Sequence, residues 1–151
     1  MTPALAGLYQ RVILDHNARP RNFGPLPGST HEAALHNALC GDTVTLRLRL
    51  AEGRIVAAAF EGNGCALSRA SASLLTLAVA GRTPDEAAGI AAELDKLLSR
   101  GPEHAEADVE RLGDLTALQG VREVPARRRC ATLPWEALRA ALAPVVGYRG
   151  G

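Results

Sequence analysis

The stretch TVTLRLRLAEGRIVAAAFEG, residues 43–62, constrains this chain more than any other. Leu46, Leu48 and Leu50 alternate with Arg47 and Arg49, the period of a strand with one face buried and one in water. AEGR supplies a tight turn, and residues 55–60 return as the partner strand of an antiparallel hairpin. A hairpin cancels distance in sequence: whatever precedes its first strand lies beside whatever follows its second. CGD (residues 40–42) comes just before the hairpin and GNGC (residues 62–65) just after it. The topology therefore predicts that Cys40, Asp42 and Cys65 cluster in space.

Helical patterns surround this unit. PALAGLYQRVILDHNARPRNFG carries Leu5, Leu8, Tyr9, Val12 and Ile13 at near-helical spacing, and Pro20 and Gly24 stop a helix that runs to about Asn17. HEAALHNA, ahead of the hairpin, reads as a third strand. CALSRASASLLTLAVAG is a small-residue helix closed by Gly81. TPDEAAGIAAELDKLLS restarts with Thr83 as N-cap, Pro84 at the first helical position and Glu86 three residues after the cap, a capping box. GPEHAEADVERLGDLTALQG predicts one or two short helices with a loop, and LPWEALRAALAP a final helix with Pro134 in its first turn. The order is that of an α+β fold, a small antiparallel β-sheet packed with helices, in a single domain over residues 1–151.

The 151 residues, 47% hydrophobic and 22% charged, suit one globular core. A net charge of +1 argues against a broad nucleic-acid surface, and no apolar run approaches membrane-spanning length. With no signal-like segment at the N-terminus, a cytoplasmic protein is expected. In that compartment three cysteines (Cys40, Cys65 and Cys130) suggest metal binding or reactivity rather than disulfides.

Three cysteines and a carboxylate match a four-coordinate zinc site in ligand type and number, although no C-x-x-C pair is present. A reactive thiol is the alternative. Cys65 stands where a helix begins, and Cys130 follows Arg127, Arg128 and Arg129; both settings favour thiolate. The blander readings are three buried cysteines acting as small hydrophobes, a turn aspartate at Asp42, and turn glycines at Gly62 and Gly64. His16, His31, His36 and His104 fall outside the expected cluster and read as surface or capping residues, with His36 unassigned.

CGD before a strand, FEGNGCALSRASAS leading into a helix and ALQGVREVPARRRCATLPWEAL together resemble the IscU/NifU-type iron–sulfur cluster assembly proteins, and within them the SufU branch. YQRVILDHNARPRNFG is similar to the family's N-terminal helix and the turn after it. The resemblance implies a SufE/IscU-like fold in which Cys40, Asp42, Cys65 and Cys130 hold one Zn²⁺. It further implies a sulfurtransferase that accepts persulfide sulfur from a SufS-type cysteine desulfurase and feeds downstream iron–sulfur assembly proteins. Cys40 would be the acceptor thiol, freed when a histidine of the desulfurase replaces it on the zinc, and Arg127 matches the motif arginine. Formal addition gives the zinc and four anionic ligands a charge of about −2, which Arg127 would offset.

Two features lean toward SufU over the scaffold branch. Arg129 occupies the position of a histidine in scaffolds, and residues 101–121 fill the place of a SufU-type insertion. The alternatives are an iron–sulfur scaffold holding a [2Fe–2S] cluster on the same cysteines, and a binding module with a purely structural zinc.

Overall fold

The computed structural model describes residues 3–38, 41–98 and 109–144, with backbone alone at 3–9, 109, 122 and 123. Its elements run α1 (Pro3–Ala18), β1 (His31–Asn37), β2 (Asp42–Ala51), β3 (Arg54–Glu61), α2 (Ala66–Val79), α3 (Pro84–Leu98), α4 (Val109–Leu112), a 3-10 stretch (Gly113–Glu123), a short 3-10 turn (Pro125–Arg127) and α5 (Arg128–Leu142). The expected α+β architecture is what forms.

The sheet has the order β1-β2-β3 and is antiparallel throughout. Two residues close the β2–β3 hairpin, Glu52 and Gly53, both at positive φ, the conformation that matches the twist of the flanking strands. Alternation does the rest: Val44, Leu46 and Leu48 point into the core with Ile55 and Phe60, while the Arg47 guanidinium reaches Glu61 on the opposite face. HEAALHN is the third strand, running antiparallel along β2.

The two edges of this sheet differ. The outer edge of β3 is covered: the Gly24 N–H donates to Phe60 O (2.9 Å), the Phe60 N–H to Asn22 O (3.0 Å), and Gly81 and Arg82 bond Ile55 in the same way. β1 forms the other edge.

Leu74, Leu75 and Val79 of α2 and Trp135, Leu138 and Leu142 of α5 cover the inner face, and Ile90, Leu94 and Leu98 of α3 extend the same core behind them. Burying each such side chain contributes about 1.5–3 kcal/mol before entropy is counted. The capping box forms as the sequence predicts, with the Glu86 N–H donating to Thr83 Oγ1 (3.1 Å) and the Thr83 N–H to Glu86 Oε1 (2.9 Å). Of residues 101–121, those up to 108 lie outside the described residues; from Val109 onward the segment folds onto the core through Leu112, Leu115, Leu118 and Val121.

Two sequence expectations need correction. The last helix begins at Arg128, so Pro134 sits inside it rather than in its first turn. A mid-helix proline lacks an N–H and pushes against the preceding turn; here Ser71 of α2 supports that turn by donating its hydroxyl to Ala131 O (2.6 Å) while accepting from Trp135 Nε1 (3.2 Å). His16, expected at the surface, is 4% exposed, its Nδ1 2.7 Å from Ser73 Oγ. His104 lies outside the described residues.

Candidate metal centre

Asp42 opens β2. The chain reaches it through Gly41, whose φ of 78° allows its N–H to fold back onto Asn37 O (2.8 Å). At the other end of the hairpin, Gly62 (φ 145°) lies so close to β2 that a Cβ there would stand 2.2 Å from Thr43 O. Asn63 then locks the two ends together: its carbonyl accepts from the Thr43 N–H (2.7 Å), and its N–H donates to Thr43 Oγ1 (3.1 Å).

This crossing delivers Cys65 to Asp42. The Cys65 N–H donates to Asp42 Oδ1 (3.1 Å), and Cys65 is the N-cap of α2, its Sγ accepting from the Ser68 N–H (3.5 Å). The thiol therefore sits at the N-terminus of a 14-residue helix. Cys130 comes from the first turn of α5, which the Ser71 bonds fix against α2. It is 3% exposed.

One ligand atom from each of Asp42, Cys65 and Cys130 lies within 4.8 Å of the others. Tetrahedral zinc with bonds of about 2.0–2.3 Å separates its ligand atoms by about 3.5–3.8 Å, so a modest contraction closes the set. The carboxylate supplies an independent sign. Asp42 is 4% exposed, and its Oδ2 has no hydrogen-bond partner among the described residues. A buried, unpaired carboxylate oxygen is costly unless a cation meets it. Donor types, spacing and the unpaired oxygen all fit a zinc ion. Cys40, two residues before Asp42, lies outside the described residues.

Arg127 addresses two of the cysteines, Cys65 and then Cys130, and these contacts hold its guanidinium above the usual arginine range. Burial, then the neighbouring Cys65, push the Cys130 thiol up to about 12, while Arg127 works against the shift. Arg129 turns away, Nε 3.0 Å from Glu136 Oε2. The segment carrying these arginines is helical, not extended, so their differing directions follow from helix geometry. His31 and His36 sit on β1 outside the cluster.

Sequence reasoning missed the serines that brace the site, Ser68 and Ser71. α2 buries four small polar residues, Ser68, Ser71, Ser73 and Thr76, and nothing in the sequence singled out the two beside the site.

The NifU-like N terminal domain family model matches residues 8–131. The chain is 40% identical over 140 residues to the zinc-dependent sulfurtransferase SufU of Bacillus subtilis, covering 93% of this chain and 92% of that protein. It is 37% identical over 135 residues to the iron–sulfur cluster assembly scaffold protein IscU of Streptococcus pyogenes, covering 89% and 82%. The crystal structure of FiSufU from Fervidobacterium islandicum superposes with a TM-score of 0.80 at 30% identity, covering 87% of this chain and 93% of that one. Among the described residues no helix is long and apolar enough to cross a membrane. A three-stranded sheet whose hairpin ends meet at an aspartate and two cysteines, together with these matches, makes the chain a member of the NifU-like N-terminal domain family, the SufU/IscU proteins of iron–sulfur cluster assembly.

Proposed function

We propose that this protein is a zinc-dependent sulfur acceptor in the cytoplasm. It takes persulfide sulfur from a SufS-type cysteine desulfurase and passes it to downstream iron–sulfur assembly proteins. The observation that carries the reading is the convergence of Asp42, Cys65 and Cys130, with one buried Asp42 oxygen lacking a partner among the described residues. The name of the Bacillus subtilis relative supports it.

Asp42, Cys65, Cys130 and Cys40 would hold the ion. Zinc bound there keeps cysteines deprotonated at neutral pH and, having no redox chemistry, leaves sulfane sulfur unreduced. Cys40 is the acceptor: its thiolate attacks the outer sulfur of the desulfurase persulfide. One S–S bond forms at Cys40 and one breaks, the electron pair leaving on the desulfurase cysteine, so no external oxidant or reductant is required. Arg127, exposed and beside Cys65 and Cys130, would offset the negative charge of the donor set and attract an anionic persulfide. Asp42 and Cys130 are both buried and would hold the ion from inside the fold.

L-cysteine turnover by the desulfurase, measured with zinc-loaded wild type and with Cys40→Ala, tests this directly. Stimulation by wild type, lost in the variant, is expected; an indifferent desulfurase removes the reading. The scaffold alternative draws on the Streptococcus pyogenes relative. Arg129, engaged by Glu136 where scaffolds carry a histidine, counts against it. Anaerobic reconstitution with iron and sulfide separates the two: a stable cluster transferable to an apo-protein favours the scaffold.

A further inference from the structure

β1 is an edge strand of seven residues. Among the described residues, residues 31–36 make no backbone hydrogen bond beyond β2, whereas the β3 edge is covered at both ends. An open edge is a template for another strand, and proteins usually blunt one with proline, lysine or a bulge. β1 has none of these; the register shift in this sheet lies between Arg49 and Leu50, on the far pair.

The side chains of β1 say what suits it. Glu32, Ala34 and His36 are exposed on one face, while Ala33 and Leu35 are half-buried on the other. Across β2, Glu32 faces Arg47, which is already paired with Glu61, and His36 faces Thr43. Neither Glu32 nor His36 has an ion pair or side-chain hydrogen bond among the described residues.

HEAALHN is complementary to its own reverse. Pair two copies antiparallel with Ala34 on the two-fold axis, and Glu32 of each stands opposite His36 of the other, twice. Ala33 then meets Leu35 twice on the inner face. Opposite residues in a continuous sheet share a face, so the register shifts only in steps that preserve it. Neighbouring allowed registers set Glu32 or His36 against Ala34 and lose both Glu32–His36 pairs.

We propose that the protein self-associates through β1 into a two-fold dimer with a continuous six-stranded sheet, centred on Ala34. Such an interface is isologous and closed. Asp42, paired with Asn37, lies three residues from the axis, so at about 3.3 Å per residue the two metal centres emerge at opposite ends of the shared sheet, roughly 20 Å apart along the strands. Both stay open to a sulfur donor. The dimer does not depend on the sulfur-acceptor reading.

Sedimentation velocity on the full chain, from low micromolar to millimolar concentration, tests it. Wild type is expected to pass from monomer to dimer. Glu32→Arg weakens association about tenfold or more by removing both carboxylate–imidazole pairs and setting a guanidinium opposite each His36. Adding His36→Glu to the same chain restores it, because the pair is only reversed. Hydrogen exchange on wild type gives a second reading that needs no variant: β1 amides gain protection as concentration rises. A wild type monomeric at millimolar concentration, a dimer indifferent to Glu32→Arg, a double variant that stays dissociated, or β1 amides insensitive to concentration each overturns the proposal.

Discussion

The Cys65 N–H donates to Asp42 Oδ1 across 3.1 Å, and that bond joins the two ends of the β2–β3 hairpin while Oδ2 of the same carboxylate is buried with no partner among the described residues. One oxygen builds the site and the other is free to bind. Asp42→Asn separates these roles, since the amide oxygen still accepts from Cys65 but carries no charge. Zinc affinity is expected to fall on the order of a hundredfold, judged against the tenfold-to-hundredfold losses for residues that merely support ligands. The metal-free variant should melt no lower than wild type, because an uncompensated buried charge has been removed. Chelator competition and melting with and without zinc read the two effects. An Asp42→Asn protein that binds zinc as wild type does would show that Oδ2 is not a ligand.

Gly62 and Gly64 both lie beside the candidate metal centre but respond differently to a side chain. A Cβ at Gly62 collides with backbone, Thr43 O at 2.2 Å, at a φ that L-residues avoid. Gly62→Ala should cost about 3 kcal/mol of stability, the range of strained or overpacked sites. At Gly64 the neighbours are Ser68 Oγ at 3.1 Å and Asp42 Cγ at 3.4 Å, and no unusual φ is involved. Gly64→Ala should cost about 1 kcal/mol or less in the metal-free protein yet weaken zinc, because ligand and brace must both shift. Denaturant melts beside zinc titrations distinguish them; equal losses in both assays for both variants would refute the division.

How much of this was legible beforehand depends on whether a residue's place follows from chain topology or from packing. Asp42 and Cys65 were brought together by alternation in β2 and β3 alone, because a hairpin admits one geometry. Cys130 was not, since α5 is held by the Ser71 hydroxyl and by Trp135, contacts between segments that no local pattern connects. The same tertiary contact hid the true start of α5: a proline inside a helix reads in sequence as a helix start. His16 was misplaced for a related reason. Its partner, Ser73, is 57 residues away, so a charged-looking residue near the end of α1 gave no sign of burial. Thr83 and Glu86 form the opposite case, a cap whose partners are three residues apart.

Ser71 should therefore matter more than its size suggests. Ser71→Ala leaves Trp135 Nε1 without its acceptor and removes the hydroxyl that donates to Ala131 O, in a fully buried setting. A loss of about 1–3 kcal/mol is expected from the unpaired groups. Because these bonds seat the turn carrying Cys130, zinc affinity should fall with stability. Chemical denaturation of the metal-free protein measures the first, and an unchanged midpoint would show that the turn is held by apolar packing alone.

Arg127 addresses the thiols of both Cys65 and Cys130. Arg127→Ala should slow sulfur transfer about tenfold while leaving the fold intact, because the side chain is exposed. Arg127→Lys keeps the charge but not the planar fork that addresses two sulfurs, and should fall between. Stimulated desulfurase rates at rising salt separate steering from direct contact: a steering role makes the wild-type rate salt-sensitive and the Ala rate much less so. Identical rates for all three proteins would leave Arg127 without a part in transfer.

His16 gives the fold a pH dependence of its own. Burial holds its pKa below the ordinary 6.5, and Arg21 adds to the effect while Asp15 and Asp114 oppose it. Its Nδ1 pairs with Ser73 Oγ, which also accepts from the Arg21 N–H at 2.8 Å, so the ring clips α1 and the following turn to α2. With the folded pKa depressed, the unfolded chain binds more protons once the pH drops below about 6.5. The contribution is complete above that pH and is lost as the pH falls through the lower folded value. His16→Gln keeps a polar group toward Ser73 without the titration. Between about pH 7.5 and about pH 5.5, where histidine charge changes, wild type should lose more melting temperature than His16→Gln. Acid release of zinc affects both proteins alike and cancels in the comparison. Parallel melting profiles would mean that protonated His16 is accommodated without opening the α1–α2 contact.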